Sequence, residues 1–122
     1  MSPTEEEARR LQASGQKLYR ERNYITAIAE FTKALELRNV PLTVQIGILD
    51  NRVAAREKIG GMVNLELALQ DARMMTQLSK ADAVGYLRGG KILELINRDK
   101  SALDIYADGI TQVKPDNPQF EV

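Results

Sequence analysis

Apolar side chains recur along the chain at steps of three and four residues, the spacing of one face of an α-helix. Glycine, proline and small polar residues interrupt this pattern and divide it into six segments. The first segment opens with Ser2-Pro3-Thr4-Glu5, a serine cap followed by proline at the first helical position. Asn23, Ser79 and Asp99 precede later apolar runs and are predicted caps. The pattern predicts helices near residues 3–21, 24–38, 42–59, 64–78, 80–96 and 100–113.

The same kinds of residue return in three consecutive units. Each unit has a small residue in its first helix and an alanine that opens its second, in the pairs Gly15 and Ala27, Val53 and Ala68, and Gly90 and Ala102. The steps within the pairs are 12, 15 and 12 residues, and Ala68 precedes Gly90 by 22 residues. A step of 12 and a step of 22 together give a repeat period of 34 residues. The units cover approximately residues 5–39, 42–78 and 80–114. We assign the three extra residues of the second unit to a longer turn over Gly60 to Asn64.

Small side chains at these positions allow two antiparallel helices to approach closely, while leucine and aromatic residues fill the space around them. A single pair cannot bury its own apolar face, but three stacked pairs form a continuous core. The expected fold is therefore all-α, a right-handed solenoid of three helix-turn-helix repeats in one domain. The sequence ends soon after Lys114 without a predicted capping helix, so we expect the N-terminal fragment of a longer protein.

Composition excludes several classes of function. The chain carries 17 basic and 17 acidic residues, and zero net charge argues against direct binding to nucleic acid or to an anionic membrane. It has no cysteine and no histidine, so zinc sites and histidine-based catalysis lack their usual residues. We therefore expect no metal, no cofactor and no enzymatic activity, and an intracellular location.

The period and the first unit, Gly15 to Leu37, resemble the tetratricopeptide repeat family, and the resemblance covers residues 5 to 115. The second unit departs from that family by its longer turn and by Arg56, where an aromatic residue or leucine is usual. The resemblance implies an adaptor that binds proteins, with the first helix of each unit lining a concave groove.

A narrower resemblance is to the N-terminal repeats of fungal F-box proteins. It is carried by the stretches Asp50-Asn51-Arg52-Val53-Ala54, Ala68 to Met75, Gly85 to Leu93 and Ala102 to Tyr106. In those proteins the repeats precede an F-box and leucine-rich repeats in the substrate-selecting subunit of an SCF-type ubiquitin ligase. The resemblance implies a domain that tethers the ligase to replisome components, and hence a nuclear rather than a cytoplasmic protein.

The residues expected to line the groove share one face of each first helix. They are Arg9, Gln12, Gln16, Tyr19 and Arg20 in the first unit, Asp50, Asn51, Ala54 and Lys58 in the second, and Val84, Leu87, Arg88, Lys91 and Leu95 in the third. Basic residues at its corners favour a partner segment with acidic and apolar character. The alternative is that these positions form an ordinary solvated face.

Two other functions remain open. Some repeats of this family grip the C-terminal carboxylates of heat-shock chaperones with lysine, asparagine and arginine. The matching positions here are Gln12, Gln16, Asn51, Val84 and Arg88, of which only Asn51 and Arg88 agree, so a co-chaperone is the less favoured interpretation. A self-associating scaffold, forming a weak homodimer through the uncapped last repeat, is the third.

Overall fold

A computed structural model describes residues 1–113. This part of the chain consists of helices joined by short connections and contains no β-strand. The six helices are α1 (Pro3–Arg20), α2 (Tyr24–Glu36), α3 (Leu42–Ile59), α4 (Gly61–Leu78), α5 (Ala83–Leu95) and α6 (Asp99–Gln112). All six predicted helices lie within three residues of these bounds at both ends; the start of α4, which was predicted three residues late, is treated below.

Helices that follow one another in the chain pack side by side, which gives three hairpins: α1–α2, α3–α4 and α5–α6. Two apolar clusters run through the stack. One joins the first hairpin to α3 around Phe31 and Ile48, and the other joins α3 and α4 to the third hairpin around Leu69 and Ile92. Each hairpin therefore buries its apolar face against the next one, as the repeat pattern predicts. The predicted fold class is confirmed.

Small residues lie where the two helices of a hairpin cross. A Cβ atom at Gly15 would overlap the ring of Phe31, and one at Gly90 would overlap the ring of Tyr106. Ala27, Ala68 and Ala102 are fully buried or nearly so. These close approaches explain why glycine and alanine recur with the period of the hairpins.

The predicted long turn in the second hairpin is wrong. Helix α3 ends at Ile59 and α4 begins at Gly61, so Gly60 alone connects them. Gly60 and Gly61 have φ angles of 73° and 81°, a region open to glycine but unfavourable for other residues. Two glycines in this conformation reverse the chain without a loop. The extra residues of this unit lengthen its helices, which have 18 residues each against 13 and 14 in the third hairpin.

The predicted caps are correct in part. The Ser2 hydroxyl accepts a hydrogen bond from the Glu5 amide at 3.1 Å and caps α1. Asn23 stands at the cap position of α2 but makes no side-chain cap bond. Ser79 is the C-terminal cap of α4, and Asp82 caps α5 instead by accepting a hydrogen bond from the Val84 amide at 2.9 Å. Asp99 is the first residue of α6, not the residue before it.

The first helices of the hairpins form the inner layer of the stack. Helix α1 contacts α3, and α3 contacts α5, more closely than α2, α4 and α6 contact one another. A stack that is tighter on one side curves toward that side, so α1, α3 and α5 line its concave face. The predicted repeat bounds stay predictions. The predicted end of the third repeat, Lys114, lies outside the described residues, as does the rest of the sequence to Val122.

Candidate functional site

The inner face carries two open pockets, one on each side of α3. The first pocket, between α1 and α3, has a volume of about 180 Å³ and a largely apolar lining. Its lining residues are Gln16, Tyr19, Arg20, Phe31, Asn51 and Ala54. The ring of Tyr19 packs edge-on against Tyr24 with the centroids 5.3 Å apart, which holds one wall in place. The shape suits an apolar side chain entering from the groove.

The second pocket lies between α3 and α5 and has a volume of about 290 Å³. Its lining residues are Asp50, Val84, Leu87, Arg88 and Lys91. Val84, Leu87, Arg88 and Lys91 follow one another at helical steps of three, one and three, so they share one face of α5. Val84 and Leu87 supply its apolar surface and the charged residues supply its rim.

A row of amides joins α1 to α3 beside the first pocket. The side-chain oxygen of Asn51 accepts hydrogen bonds from the Nε2 atoms of Gln12 and Gln16, at 2.9 and 3.1 Å. Because the oxygen of Asn51 is occupied, its NH₂ group is the part of this side chain that can donate to a partner. An amide held by two neighbours presents a fixed direction to a backbone carbonyl.

The cations of the second pocket are paired within the protein. Arg88 Nε donates to Asp50 Oδ1 at 2.6 Å, and this hydrogen bond raises the pKa of Arg88 above its usual range. Lys91 Nζ lies 3.5 Å from Glu57 Oε2. The other carboxylate oxygen of Glu57 is buried without a hydrogen-bond partner among the described residues. A partner carboxylate at Arg88 would have to share the guanidinium group with Asp50, which already takes its Nε donor.

Eleven of the predicted groove residues either line the two pockets or belong to the amide row. Arg9, Lys58 and Leu95 lie outside them: Arg9 pairs with Glu5 on its own helix at 3.0 Å, and Lys58 and Leu95 are exposed. Phe31 was missed because it comes from a second helix. Glu57 was missed too, although it follows Asp50 by seven residues and so lies on the same face of α3.

The set of residues with which some repeats of this family bind the C-terminal carboxylates of chaperones is incomplete on this face. Asn51 and Arg88, the two residues that agree with it, are both engaged inside the protein, by the glutamines of α1 and by Asp50. Both lysines are missing, since Gln12 and Val84 stand at their positions, and Gln16 replaces an asparagine. Neutral amides can bind a peptide backbone but compensate buried carboxylate charge poorly.

A buried charge cluster fixes α3 behind the site. Asp71 accepts from Arg52 through both carboxylate oxygens, at 2.6 and 2.8 Å, and from Arg56 Nε at 3.3 Å. Arg52 also donates to Thr32 Oγ1 at 3.0 Å, which links α2, α3 and α4. Burial lowers the pKa of Arg56, an effect that Asp71 opposes. Arg56 departs from the family pattern because it belongs to this cluster.

Residues 1–113 hold no group of three or more histidine, cysteine or carboxylate side chains that could bind a metal ion. None of the six helices is both long enough and apolar enough to cross a membrane.

Solved structures with the same architecture are repeat domains. The Hsp90 co-chaperone Cns1 from Saccharomyces cerevisiae superimposes with a TM-score of 0.79 at 17% identity, over 96% of this chain and 36% of that one. The first TPR of Spaghetti (RPAP3), bound to the HSP90 peptide SRMEEVD, gives 0.74 at 20% identity, over 95% and 88%. The TPR domain of Arabidopsis OM64 gives 0.74 at 23% identity, over 93% and 88%. The chain is a tetratricopeptide repeat domain by fold.

This repeat domain also has curated relatives in sequence. F-box/TPR repeat protein pof3 of Schizosaccharomyces pombe is 33% identical over 103 residues, which are 84% of this chain and 17% of that protein. Protein DIA2 of Eremothecium gossypii is 38% identical over 65 residues, 53% of this chain and 9% of that protein. The chain therefore spans less than a fifth of the length of these relatives. No protein-family model matches it.

Proposed function

We propose that the chain is an adaptor domain that binds an extended segment of a partner protein across the inner face formed by α1, α3 and α5. The observation that carries this proposal is the pair of pockets on either side of α3, with the amide row beside them. Apolar pockets hold side chains, and a fixed amide holds a backbone, which together are the elements of peptide recognition.

The spacing of the pockets defines the register of the bound segment. Packed helices lie about 8–10 Å apart, so pockets on the two sides of α3 are separated by a comparable distance. A segment in the polyproline II conformation rises about 3.1 Å per residue and completes a turn in three residues, so side chains three positions apart point the same way and reach from one pocket to the other. The expected segment carries an apolar residue at i for the first pocket and another at i+3 for the second.

The charged residues of the inner face place a second requirement on the partner segment. Arg88 and Lys91 are paired with Asp50 and Glu57, whereas Arg20 is exposed at the rim of the first pocket. A carboxylate of the partner gains most beside Arg20, outside the apolar pocket. Paired cations also keep the second pocket from attracting strongly acidic segments without apolar anchors.

The test uses peptides selected for binding to the 122-residue chain from a random peptide library. Ala54→Met fills the first pocket from its wall and should weaken the selected peptides by about tenfold or more, because an anchor side chain loses its space. Ala107→Met on the exposed face of α6 is the matched control and should leave binding unchanged. Equal binding to the wild type and to Ala54→Met, with unchanged thermal midpoints, would show that the pocket is not the binding site.

We further propose that this adaptor is the tethering domain of an F-box substrate-recognition subunit of an SCF ubiquitin ligase, acting on replisome components in the nucleus. The likeness to an F-box/TPR repeat protein over 84% of the chain supports this. In cells that express the full-length protein, deleting residues 1–113 should reduce its association with the replisome and leave its association with the ligase core intact. Replisome association that survives the deletion would disprove the tethering role.

A self-associating scaffold is the second candidate, because α6 exposes apolar side chains. Leu103 and Ile110 are 69% and 59% exposed and lie two helical turns apart on one face. In this alternative the molar mass in light scattering rises with concentration in the wild type but not in Leu103→Ser/Ile110→Ser. A constant monomer mass would exclude it.

A further inference from the structure

Large aliphatic side chains are exposed at the end of the stack where the α1–α2 and α3–α4 turns lie. Ile25 is 77% exposed, Ile59 38%, Met62 59% and Val63 74%. We call these four residues the turn-end patch. None of them lines a pocket of the inner face, because they lie at the ends of their helices: Ile25 in the first turn of α2, Ile59 at the end of α3, and Met62 and Val63 in the first turn of α4.

The patch contains a cleft that joins the two turns. A cavity of about 280 Å³ lies between the start of α2 and the end of α3. Its lining residues are Arg22, Asn23, Tyr24, Ile25, Thr26 and Ile59. Ile59 is separated from Met62 only by Gly60 and Gly61, so the first turn of α4 continues the apolar surface beyond the cleft.

The fold does not require apolar residues at these positions. Helix α4 contributes Ala68, Leu69, Ala72 and Met75 to the core, all buried and all beyond its first turn. Residues next to a chain reversal are usually polar, since they face water on most sides. Scattered exposed aliphatics are ordinary, but a contiguous group around a cleft is typical of an interaction site.

The surroundings of the patch are predominantly basic. Arg22 lines the cleft, and the exposed Lys58 directly precedes Ile59. The first turn of α4 carries no acidic residue, and its cap, Gly60, offers no side-chain acceptor. The N-termini of α2 and α4 meet the C-termini of α1 and α3 at that end, so the helix dipoles largely offset one another and the charged side chains decide the sign. Glu21 is the acidic neighbour of Arg22 in the α1–α2 turn and offsets one of these charges.

We propose that the turn-end patch is a second docking surface, independent of the inner face, for an amphipathic helix with aliphatic side chains on one face and carboxylates beside them. Aliphatic residues at i, i+3 and i+4 of such a helix lie close together and match a compact patch that contains one cleft. The carboxylates meet Arg22 and Lys58 at the rim. A second copy of the chain fits less well, because a two-fold contact through this patch would bring its cations together.

The test is a titration of the ¹⁵N-labelled 122-residue chain, followed by NMR, with a designed helical peptide. The probe has leucines at i, i+3, i+4 and i+7 and glutamates on the flanks; its matched control has lysines in place of the glutamates. The expected result is saturable shifts of the amides of residues 22–26 and 59–63 with the glutamate peptide. Binding of the lysine peptide should be weaker by about tenfold, because the rim contacts become repulsive.

Substitutions on each surface identify the one that the glutamate peptide contacts. Ile25→Ser with Val63→Ser should weaken the glutamate peptide by about tenfold or more while the thermal midpoint stays unchanged, since both side chains are exposed. Ala54→Met, which blocks the inner face, should leave this binding unaltered, so the two surfaces are tested separately.

Three outcomes would overturn the proposal: shifts confined to α1, α3 and α5, equal affinity for the lysine peptide, or concentration-dependent shifts of residues 22–26 and 59–63 without peptide. The last result would identify a second copy as the occupant.

Discussion

At the scale of single residues, the buried carboxylate of Asp71 is the charge on which the position of α3 depends. It is 3% exposed and receives hydrogen bonds from Arg52 and Arg56, so two guanidinium groups share one acid. Removing one member of a buried ion cluster leaves the others uncompensated, which costs more than the pairing itself contributes.

We predict that Asp71→Asn lowers the free energy of unfolding by about 3–5 kcal/mol, because both arginines then lie partly buried without an anion. Urea unfolding followed by circular dichroism measures this. Glu66→Gln is the matched control: its partner Arg98 is half exposed, so we expect a change within about 1 kcal/mol. Equal effects of the two substitutions would show that Asp71 has no special role.

A second residue-level prediction concerns the crossing in the third hairpin. Gly90→Ala should destabilise the chain by about 1–3 kcal/mol, although alanine favours helix over glycine, because the new methyl group would overlap the ring of Tyr106. Gly47→Ala is the control and should cost less, because the nearest atom to its new methyl group is the end of the Gln12 side chain, Nε2 at 3.3 Å, and not a packed ring.

Unfolding measurements on Gly90→Ala/Tyr106→Leu complete the test. The double variant should lose less stability than the two single variants together, because a smaller side chain leaves room for the methyl group. Strictly additive losses would contradict the overlap.

The sequence predicted the residues at the crossings but not the charge cluster. Gly15, Ala27, Gly90 and Ala102 stand out by their period, because close packing allows only small side chains there. Arg52 and Asp71 are 19 residues apart on two helices, and only the way α4 packs on α3 brings them together. Arg56 departs from the family pattern, and this departure is the one sign of the cluster in the sequence.

At the scale of elements, the second hairpin differs from the third by its longer helices and its single-residue turn. The paired glycines predicted a break, and their positive φ values explain why one residue is sufficient for it. The start of α4 was predicted three residues late because Gly61, Met62 and Val63 look like loop residues when glycine is taken as a helix breaker. That error concealed the turn-end patch, which those residues help to form.

The ends of the helices provide a prediction at this scale. Asp82→Ala removes the acceptor of the Val84 amide and should lower the free energy of unfolding by about 1 kcal/mol. Asn23→Ala at the cap of α2 should cost less than half of that, because Asn23 makes no side-chain cap bond. Paired denaturation curves under the same conditions measure both changes. A larger loss in Asn23→Ala than in Asp82→Ala would contradict the assignment of the caps.

At the scale of the whole molecule, stacking of the hairpins brings residues far apart in sequence onto one face. Gln12 and Gln16 reach Asn51 across 39 and 35 residues, and Arg88 reaches Asp50 across 38. The repeat period predicted which helices line this face, because it assigns the same role to α1, α3 and α5. It could not predict that the face neutralises its own cations, since pairing depends on distances between hairpins.

The pairing changes the expected partner. Basic residues at the corners of the groove predicted a partner segment with acidic and apolar character, but two of them, Arg88 and Lys91, are already paired with Asp50 and Glu57. The pockets on either side of α3 instead favour apolar anchors three residues apart, with a carboxylate near Arg20. Arg9 and Lys58 remain predicted groove residues that lie outside both pockets.

The most direct test of this account is to map a library-selected peptide on the ¹⁵N-labelled chain by NMR. We predict that the largest amide shifts fall on the inner-face residues of α1, α3 and α5, around Gln16, Asn51 and Leu87, and that replacing the anchors at i and i+3 by alanine abolishes them. Shifts concentrated on α2, α4 and α6, with the inner face unchanged, would contradict it.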